Sequence, residues 1–141
     1  MLRIQKAAPN AADYIALGLN APTAVTRSSD GVYACAGRDV VRVADDGGAP
    51  SLVKQMTGTV FDLASDPEGL FFVEQRPGGT TSGFYFLADA SFQQVGRVHP
   101  FANRVLASPD AIYVSRQRDE AGAGLVRYPR DAAFDDATVG C

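Results

Sequence analysis

An internal repeat restricts the folds that this chain can adopt. A turn followed by an apolar strand occurs three times, as SDGVY (29–33), PEGLF (67–71) and PDAIY (109–113), with the third residues 38 and 42 positions apart. A second landmark is a short strand that ends in arginine plus an apolar residue, or in two apolar residues. It occurs at 3–4, 42–43, 86–87 and 127–128, at steps of 39, 44 and 41. Two landmarks that share one period of about 40 residues indicate a fold built from repeated units.

Each repeat is composed of short predicted strands. The segments are rich in Val, Phe, Tyr and Leu and are separated by Gly, Pro, Asp and Ser, which is typical of strands joined by hairpins. In the middle repeat we predict strands at 60–64, 70–74, 84–87 and 92–98. No segment keeps a helical period long enough to compete. Four antiparallel strands in such a unit are typical of one blade of a β-propeller, so we predict an all-β fold of about three four-stranded antiparallel blades.

The predicted blade boundaries do not coincide with the ends of the chain. We predict half a blade at 1–20, with strands at 2–5 and 14–19, blades at 21–58 and 59–101, and a partial blade at 102–141 with 137–139 as its fourth strand. Closed propellers need about four to eight blades, so we expect an incomplete or open ring. Either the chain is a segment of a larger propeller, which we favour, or several copies complete a ring, or the repeats form an open stack. Exposed blade faces and unpaired strand edges predict self-association.

The charge pattern and the cysteine content exclude several classes of protein. The 13 basic and 16 acidic residues are spread along the chain and give a net charge of -3, so nucleic acid is not an expected partner. The N-terminal sequence MLRIQK lacks the pattern of a signal peptide, and no segment has the length of a transmembrane helix. We therefore expect no membrane span and no export signal. Cys35 and Cys141 are too few for a disulfide scaffold.

The sequence offers no pattern that predicts catalysis, a metal site or a cofactor. The one histidine, His99, precedes a proline in a predicted connection and has no partner of metal-ligand spacing, so we interpret it as a turn residue. The acidic pairs at 45–46 and 135–136 lack the alternating oxygen ligands of a calcium loop. The glycines around 79–83 and 122–124 fit neither a nucleophile elbow nor a dinucleotide fingerprint.

One constellation predicts a binding site. When the turn landmarks are placed in register, three arginines and two glutamines follow the second strand of each repeat at the same offset: Arg38, Arg76, Arg118, Gln75 and Gln117. In a propeller these positions share one face, so the arginines are expected to form an arc suited to carboxylates or phosphates. The alternative is that each arginine caps its own hairpin or pairs with a nearby acid. Asp62 and Arg104 share a position near the start of two first strands and are expected to pair.

Part of the repeat resembles a known family. The segment 37–53 (GRDVVRVADDGGAPSLV), followed by VFDLASD (60–66) and GLFF (69–72), is similar to the repeats of bacterial TolB-like and YWTD-like propellers. In those repeats a strand ending in R-V leads into a D-G-G-x-P hairpin. This chain departs from the pattern at 88–91, where the glycines are missing, and it lacks the aromatic tetrapeptide of the YWTD type. The resemblance implies a blade, and because bacterial members are often exported it also implies a periplasmic or extracellular setting.

Two functions remain open at this point. The first is a non-catalytic binding or scaffold module that presents loops to a protein or to a small anionic ligand. The second is a propeller enzyme, such as a lactonase-like hydrolase or a lyase, with its site in the central channel of a larger or oligomeric ring. Because the first-strand positions offer only Asp62, Asn103 and Arg104 as polar groups, we favour the binding module.

Overall fold

The structure is a computed structural model whose described elements are β-strands. It describes residues 2–5, 8–14, 18–78, 82–88, 91–98, 102–116 and 124–130. All of the regular secondary structure in these ranges is β-strand, which confirms the all-β prediction. No helix in the described ranges is long and apolar enough to cross a membrane.

The strands form four antiparallel sheets, each with its strands in chain order. A two-stranded sheet contains β1 and β2, and we name the other three the first sheet (β3–β6), the second sheet (β7–β10) and the third sheet (β11–β13). The strand bounds are β1 Leu2–Gln5, β2 Ala8–Tyr14, β3 Pro22–Ser28, β4 Gly31–Ala36, β5 Asp39–Val43, β6 Ser51–Gln55, β7 Thr59–Asp66, β8 Gly69–Gln75, β9 Ser82–Ala88, β10 Ser91–Val98, β11 Ala102–Ala107, β12 Ala111–Arg116 and β13 Gly124–Pro129.

The four strands predicted in the middle repeat are confirmed as β7 to β10, each with slightly wider bounds. The strand predicted at 14–19 is wrong, because the partner of β1 is Ala8–Tyr14, with Leu2 opposite Tyr14. The apolar run that begins at Tyr14 favoured the later position, whereas the hairpin register places the strand over a segment of low β-propensity. The strand predicted at 137–139 lies outside the described residues.

The second sheet is covered on both faces, which explains its composition. Its central strand β8 alternates in the usual period of two. Leu70 and Phe72 pack toward the first sheet, where they meet Tyr33 and Cys35. Phe71 and Val73 pack toward the third sheet, in a core that they share with Val105, Ile112 and Val114. A strand buried on both faces contains apolar residues at consecutive positions, as the sequence LFFV shows.

The first strands of the three sheets lie beside one another. Thr23 Oγ1 donates to the Val60 carbonyl at 3.0 Å, which joins β3 to β7. The Val105 amide donates to Asp62 Oδ2 at 2.9 Å, which joins β11 to β7. Successive sheets therefore face one another with their first strands adjacent, and together the described sheets do not close into a ring.

Candidate functional site

The candidate site lies at the end of the first and second sheets where β4 and β8 finish. Gly37 and Arg38 make the two-residue turn from β4 to β5, and Gly37 has φ 67°, which favours glycine. The connection from β6 to β7 is bonded to this turn, since the Met56 amide donates to the Arg38 carbonyl at 2.8 Å and the Val60 amide donates to the Gly37 carbonyl at 2.9 Å. The turn and the connection therefore hold each other in place.

A depression of about 430 Å³ opens at this end. It is lined by Arg38, Thr57, Gly58, Thr59, Gln75, Arg76 and Pro77. The structure thus brings together three of the predicted residues, Arg38, Gln75 and Arg76. Arg38 is exposed and donates through Nε to the Met56 carbonyl at 3.1 Å. Within the described part of the chain its terminal nitrogens have no partner.

A buried carboxylate lies behind the depression. Glu74 is 0% exposed and is the one buried charged side chain among those that the structure describes. Its Oε1 accepts hydrogen bonds from Thr57 Oγ1 at 2.9 Å and from the Gly58 amide at 2.5 Å. Its Oε2 accepts from the Tyr85 hydroxyl at 2.8 Å and lies 3.8 Å from Arg76 Nε. The carboxylate therefore ties the β6–β7 connection to β8 and β9.

Gly58 is required at its position by this close approach. A Cβ atom there would collide with the carbonyl of Gln75 and would come within 3.0 Å of the Arg76 Cα. The missing side chain lets the Gly58 amide reach Glu74. A backbone amide bound to a carboxylate is a strong, charge-assisted contact.

The protonation states follow from these contacts. Burial opposes ionisation of Glu74, but the hydrogen bonds from Gly58, Tyr85 and Thr57 and the charge of Arg76 together lower the pKa of its carboxyl below the ordinary value. Burial raises the pKa of the Tyr85 hydroxyl, and the bond to Glu74 adds to this effect. The hydrogen bond to Tyr85 raises the pKa of Arg76. At neutral pH Glu74 is therefore negative, Tyr85 neutral and Arg76 positive.

The other predicted site residues lie elsewhere. Asp62 and Arg104 form the expected pair, with Asp62 Oδ1 3.9 Å from Arg104 Nη1. Asp62 also accepts the Val105 amide, so it joins the second and third sheets and does not line the depression. Gln117 and Arg118 lie outside the described residues, as do His99 and Cys141. The structure therefore describes two of the three arginines in the predicted arc, Arg38 and Arg76.

Sequence reasoning missed Glu74 and Tyr85 as parts of this site. Glu74 is one of the nearby acids with which an arginine of the predicted constellation could pair, and that role does not predict its burial. The signal that would have found it is strand alternation, since Glu74 shares a face with the buried Leu70 and Phe72. In the first sheet the equivalent position is Ala36 and the position of Tyr85 is Val41. The buried polar cluster is therefore a feature of the second sheet and not of the repeat.

No group of three or more His, Cys, Asp or Glu side chains capable of holding a metal ion occurs in the part of the chain that the structure describes. Comparison of the chain with protein-family models, with curated protein sequences and with solved structures yields no match. The similarity to TolB-like and YWTD-like repeats therefore stays a prediction.

Proposed function

We propose that the chain is a non-catalytic binding module built from β-propeller-type blades, and that the depression beside Arg38 and Arg76 binds a small anionic ligand through its carboxylate or phosphate group. The observation that carries the proposal is the position of these two arginines on one depression. Guanidinium groups bind both kinds of anion through charge-assisted hydrogen bonds. A volume of about 430 Å³ is within the range of small-molecule sites.

The propeller-type arrangement is supported by the order of the strands. Three consecutive antiparallel meanders face one another with their first strands adjacent, as blades do around a channel. The repeat of about 40 residues and the similarity to TolB-like sequences point in the same direction.

The polar groups of the depression favour an anion. The one acidic side chain at the site, Glu74, is buried, and both of its oxygens are already hydrogen bonded. The remaining polar side chains on the rim are the neutral Thr57, Thr59 and Gln75. At the opposite end of β4 and β8, a smaller cavity of about 280 Å³ is lined by Asp30, Asp66 and Glu68 and would repel an anion.

The enzyme alternative receives no support from this cluster. A general base needs a free lone pair aimed at substrate and a pKa near the working pH. Glu74 has a lowered pKa, and both of its oxygens point into the protein. The cluster is suited to holding groups in place.

Calorimetric titration with inorganic phosphate and with succinate tests the proposal. We expect binding that weakens as salt rises, because the contact is electrostatic. Arg38→Ala and Arg76→Ala are each expected to weaken binding by roughly tenfold or more, since a charged hydrogen bond contributes about 1.5–3 kcal/mol. Arg27→Ala is the matched control, because Arg27 is an exposed arginine near the opposite end of the first sheet, paired with Asp45. An affinity that is unchanged by Arg76→Ala, or lowered equally by Arg27→Ala, would remove the anion site.

A further inference from the structure

The two arginines of the depression are held in different ways. Arg38 is exposed and has one described contact, from Nε to the Met56 carbonyl. Arg76 has a side chain that is 37% exposed, and its Nη2 donates to the Tyr85 hydroxyl at 3.0 Å. The Tyr85 hydroxyl donates in turn to Glu74 Oε2, and this oxygen also faces Arg76 Nε. Arg76 is therefore restrained at two nitrogens, whereas Arg38 is restrained at one.

The chain of contacts from Arg76 to Tyr85 to Glu74 runs into the protein interior. Tyr85 is 5% exposed and its ring stacks on Phe72 at a centroid distance of 5.5 Å. The opposite oxygen of Glu74 is bound by Thr57 and Gly58, which lie on the other rim of the depression. Each of these contacts is thus supported by packing or by a second hydrogen bond. Groups in the protein interior therefore fix the position of the Arg76 guanidinium.

Burial of a carboxylate costs free energy that an apolar residue at the same position would not cost. We therefore expect the carboxylate to have a role that an apolar residue cannot fill. Moving an ionised carboxyl into the interior costs several kcal/mol before its contacts offset the loss. The first sheet has Ala36 at the equivalent position, so the blade does not need an acid there. The purpose that the contacts show is the placement of Arg76 and of the 57–58 backbone.

We propose that Glu74 and Tyr85 are positioning residues that hold the Arg76 guanidinium in place, so that Arg76 is the fixed anchor of the anion site and Arg38 is its adaptable second arm. The inference rests on the proposed function. An arginine that is already ordered loses less side-chain entropy when it binds an anion, because the free-energy cost of ordering its long side chain has already been met by folding. The pair therefore raises affinity without touching the ligand.

The test compares Tyr85→Phe with Tyr33→Phe. Both tyrosines belong to the core between the first and second sheets, and each hydroxyl donates to a carboxylate, that of Tyr33 to Asp30 at 2.8 Å. The two hydroxyls lie near opposite ends of the sheets, so Tyr33→Phe matches the loss of a hydroxyl without touching Arg76. Tyr85→Phe is expected to lower the affinity for inorganic phosphate by roughly three- to tenfold, and Tyr33→Phe to leave it unchanged.

A second measurement reports on Arg76 without any ligand. The ¹⁵Nε heteronuclear NOE of Arg76 is expected to be high in the wild type and to fall in Tyr85→Phe toward that of the exposed Arg27. If the wild type binds phosphate and Arg76→Ala weakens binding, but Tyr85→Phe binds like the wild type, the positioning role is overturned and the anion site stands. An Arg76 NOE in the wild type as low as that of Arg27 overturns it as well. A wild type that does not bind phosphate overturns both proposals.

Discussion

Glu74 makes the stability of the folded protein depend on pH, and the direction of this dependence follows from the shift in the pKa of its carboxyl group. Its folded-state pKa is lowered, whereas in the unfolded chain it returns to an ordinary value of about 4.3. The stabilisation from its hydrogen bonds is therefore fully present above about pH 4.3 and is lost as the pH falls through the folded-state pKa. The physical reason is that folding favours the ionised form, so added protons favour the unfolded chain.

We expect Glu74→Gln to reduce this acid sensitivity. Glutamine keeps an acceptor for the Gly58 amide and cannot bind a proton in this range. Urea unfolding at about pH 6 and about pH 3 should show that the wild type loses more free energy of unfolding between the two conditions than the variant does. The other carboxyl groups are common to both proteins and cancel in the comparison. Equal losses would show that the pKa of Glu74 is the same in the folded and unfolded chains, and a smaller loss in the wild type would show that folding favours its protonated form.

The shared location of Arg38 and Arg76 could be predicted from the sequence, whereas the cluster behind them could not. Equal offset from the same turn places two residues at the same end of neighbouring antiparallel sheets, and this reasoning needs only the repeat. The contact of Glu74 with Tyr85 depends on the β8–β9 register, and its contact with Thr57 depends on how a connection folds over the strand end. A single sequence does not specify either.

Among the elements, one cross-strand position explains the second landmark of the repeat. The arginine that ends the third strand lies opposite a tyrosine of the second strand, as Arg42 opposite Tyr33 and Arg127 opposite Tyr113. Arg42 pairs with Asp30 at 3.3 Å, and Arg127 pairs with Asp110 at 3.5 Å. The arginine of the second landmark thus forms an ion pair with the acid in the turn before the second strand.

The second sheet replaces this arrangement with an apolar one. Phe71 lies opposite Phe86, with the ring centroids 4.7 Å apart, so this cross-strand position supplies no arginine for the acid of its turn, Glu68. Arg130, just after the third sheet, pairs with Glu68 at 3.0 Å and also with Asp66, and its guanidinium lies 5.0 Å above the Phe71 ring. The arginine missing from the second sheet is therefore supplied by its neighbour. The repeat in the sequence shows that Phe86 stands where the other repeats have an arginine. Only the packing of the second sheet against the third reveals that Arg130 takes over the role of that arginine.

Arg130→Ala is expected to destabilise the protein far more than Arg127→Ala. The Arg130 side chain is 17% exposed and joins two sheets, so its loss leaves Asp66 and Glu68 without their partner and should cost about 2–4 kcal/mol. Arg127 is a half-exposed arginine within one sheet, and its loss should have little effect on stability because water screens an exposed ion pair. Chemical denaturation of both variants measures the difference. Equal effects would contradict the bridging role of Arg130.

The outward faces of the first and third sheets each carry exposed apolar side chains. Val25, Ala34, Val41 and Leu52 form a row across all four strands of the first sheet, and the two end members are 58% and 61% exposed. On the outward face of the third sheet, Leu106 and Leu125 are 62% and 68% exposed. The second sheet buries both of its faces against neighbouring sheets, which indicates how such apolar side chains are covered in this fold.

We expect the chain to self-associate by placing the outward face of one copy's third sheet on the first sheet of a second copy. Sedimentation velocity over a range of concentrations measures the association. Leu52→Lys and Leu125→Lys should each weaken it, because they place a charge in an apolar contact. Ala49→Lys, on an exposed turn, is the charge-matched control. A monodisperse monomer at high concentration would contradict this expectation.

We propose that the anion site lies at the end of the sheets where β4 and β8 finish. The most direct test is a phosphate titration followed residue by residue through backbone amide resonances. We expect saturable shifts at Arg38, Gly58 and Arg76, and none at the turns 28–30 and 66–69, which lie roughly 20 Å away at the other ends of β4 and β8. Shifts at those turns, or no saturable shift at Arg38, Gly58 and Arg76, would contradict it.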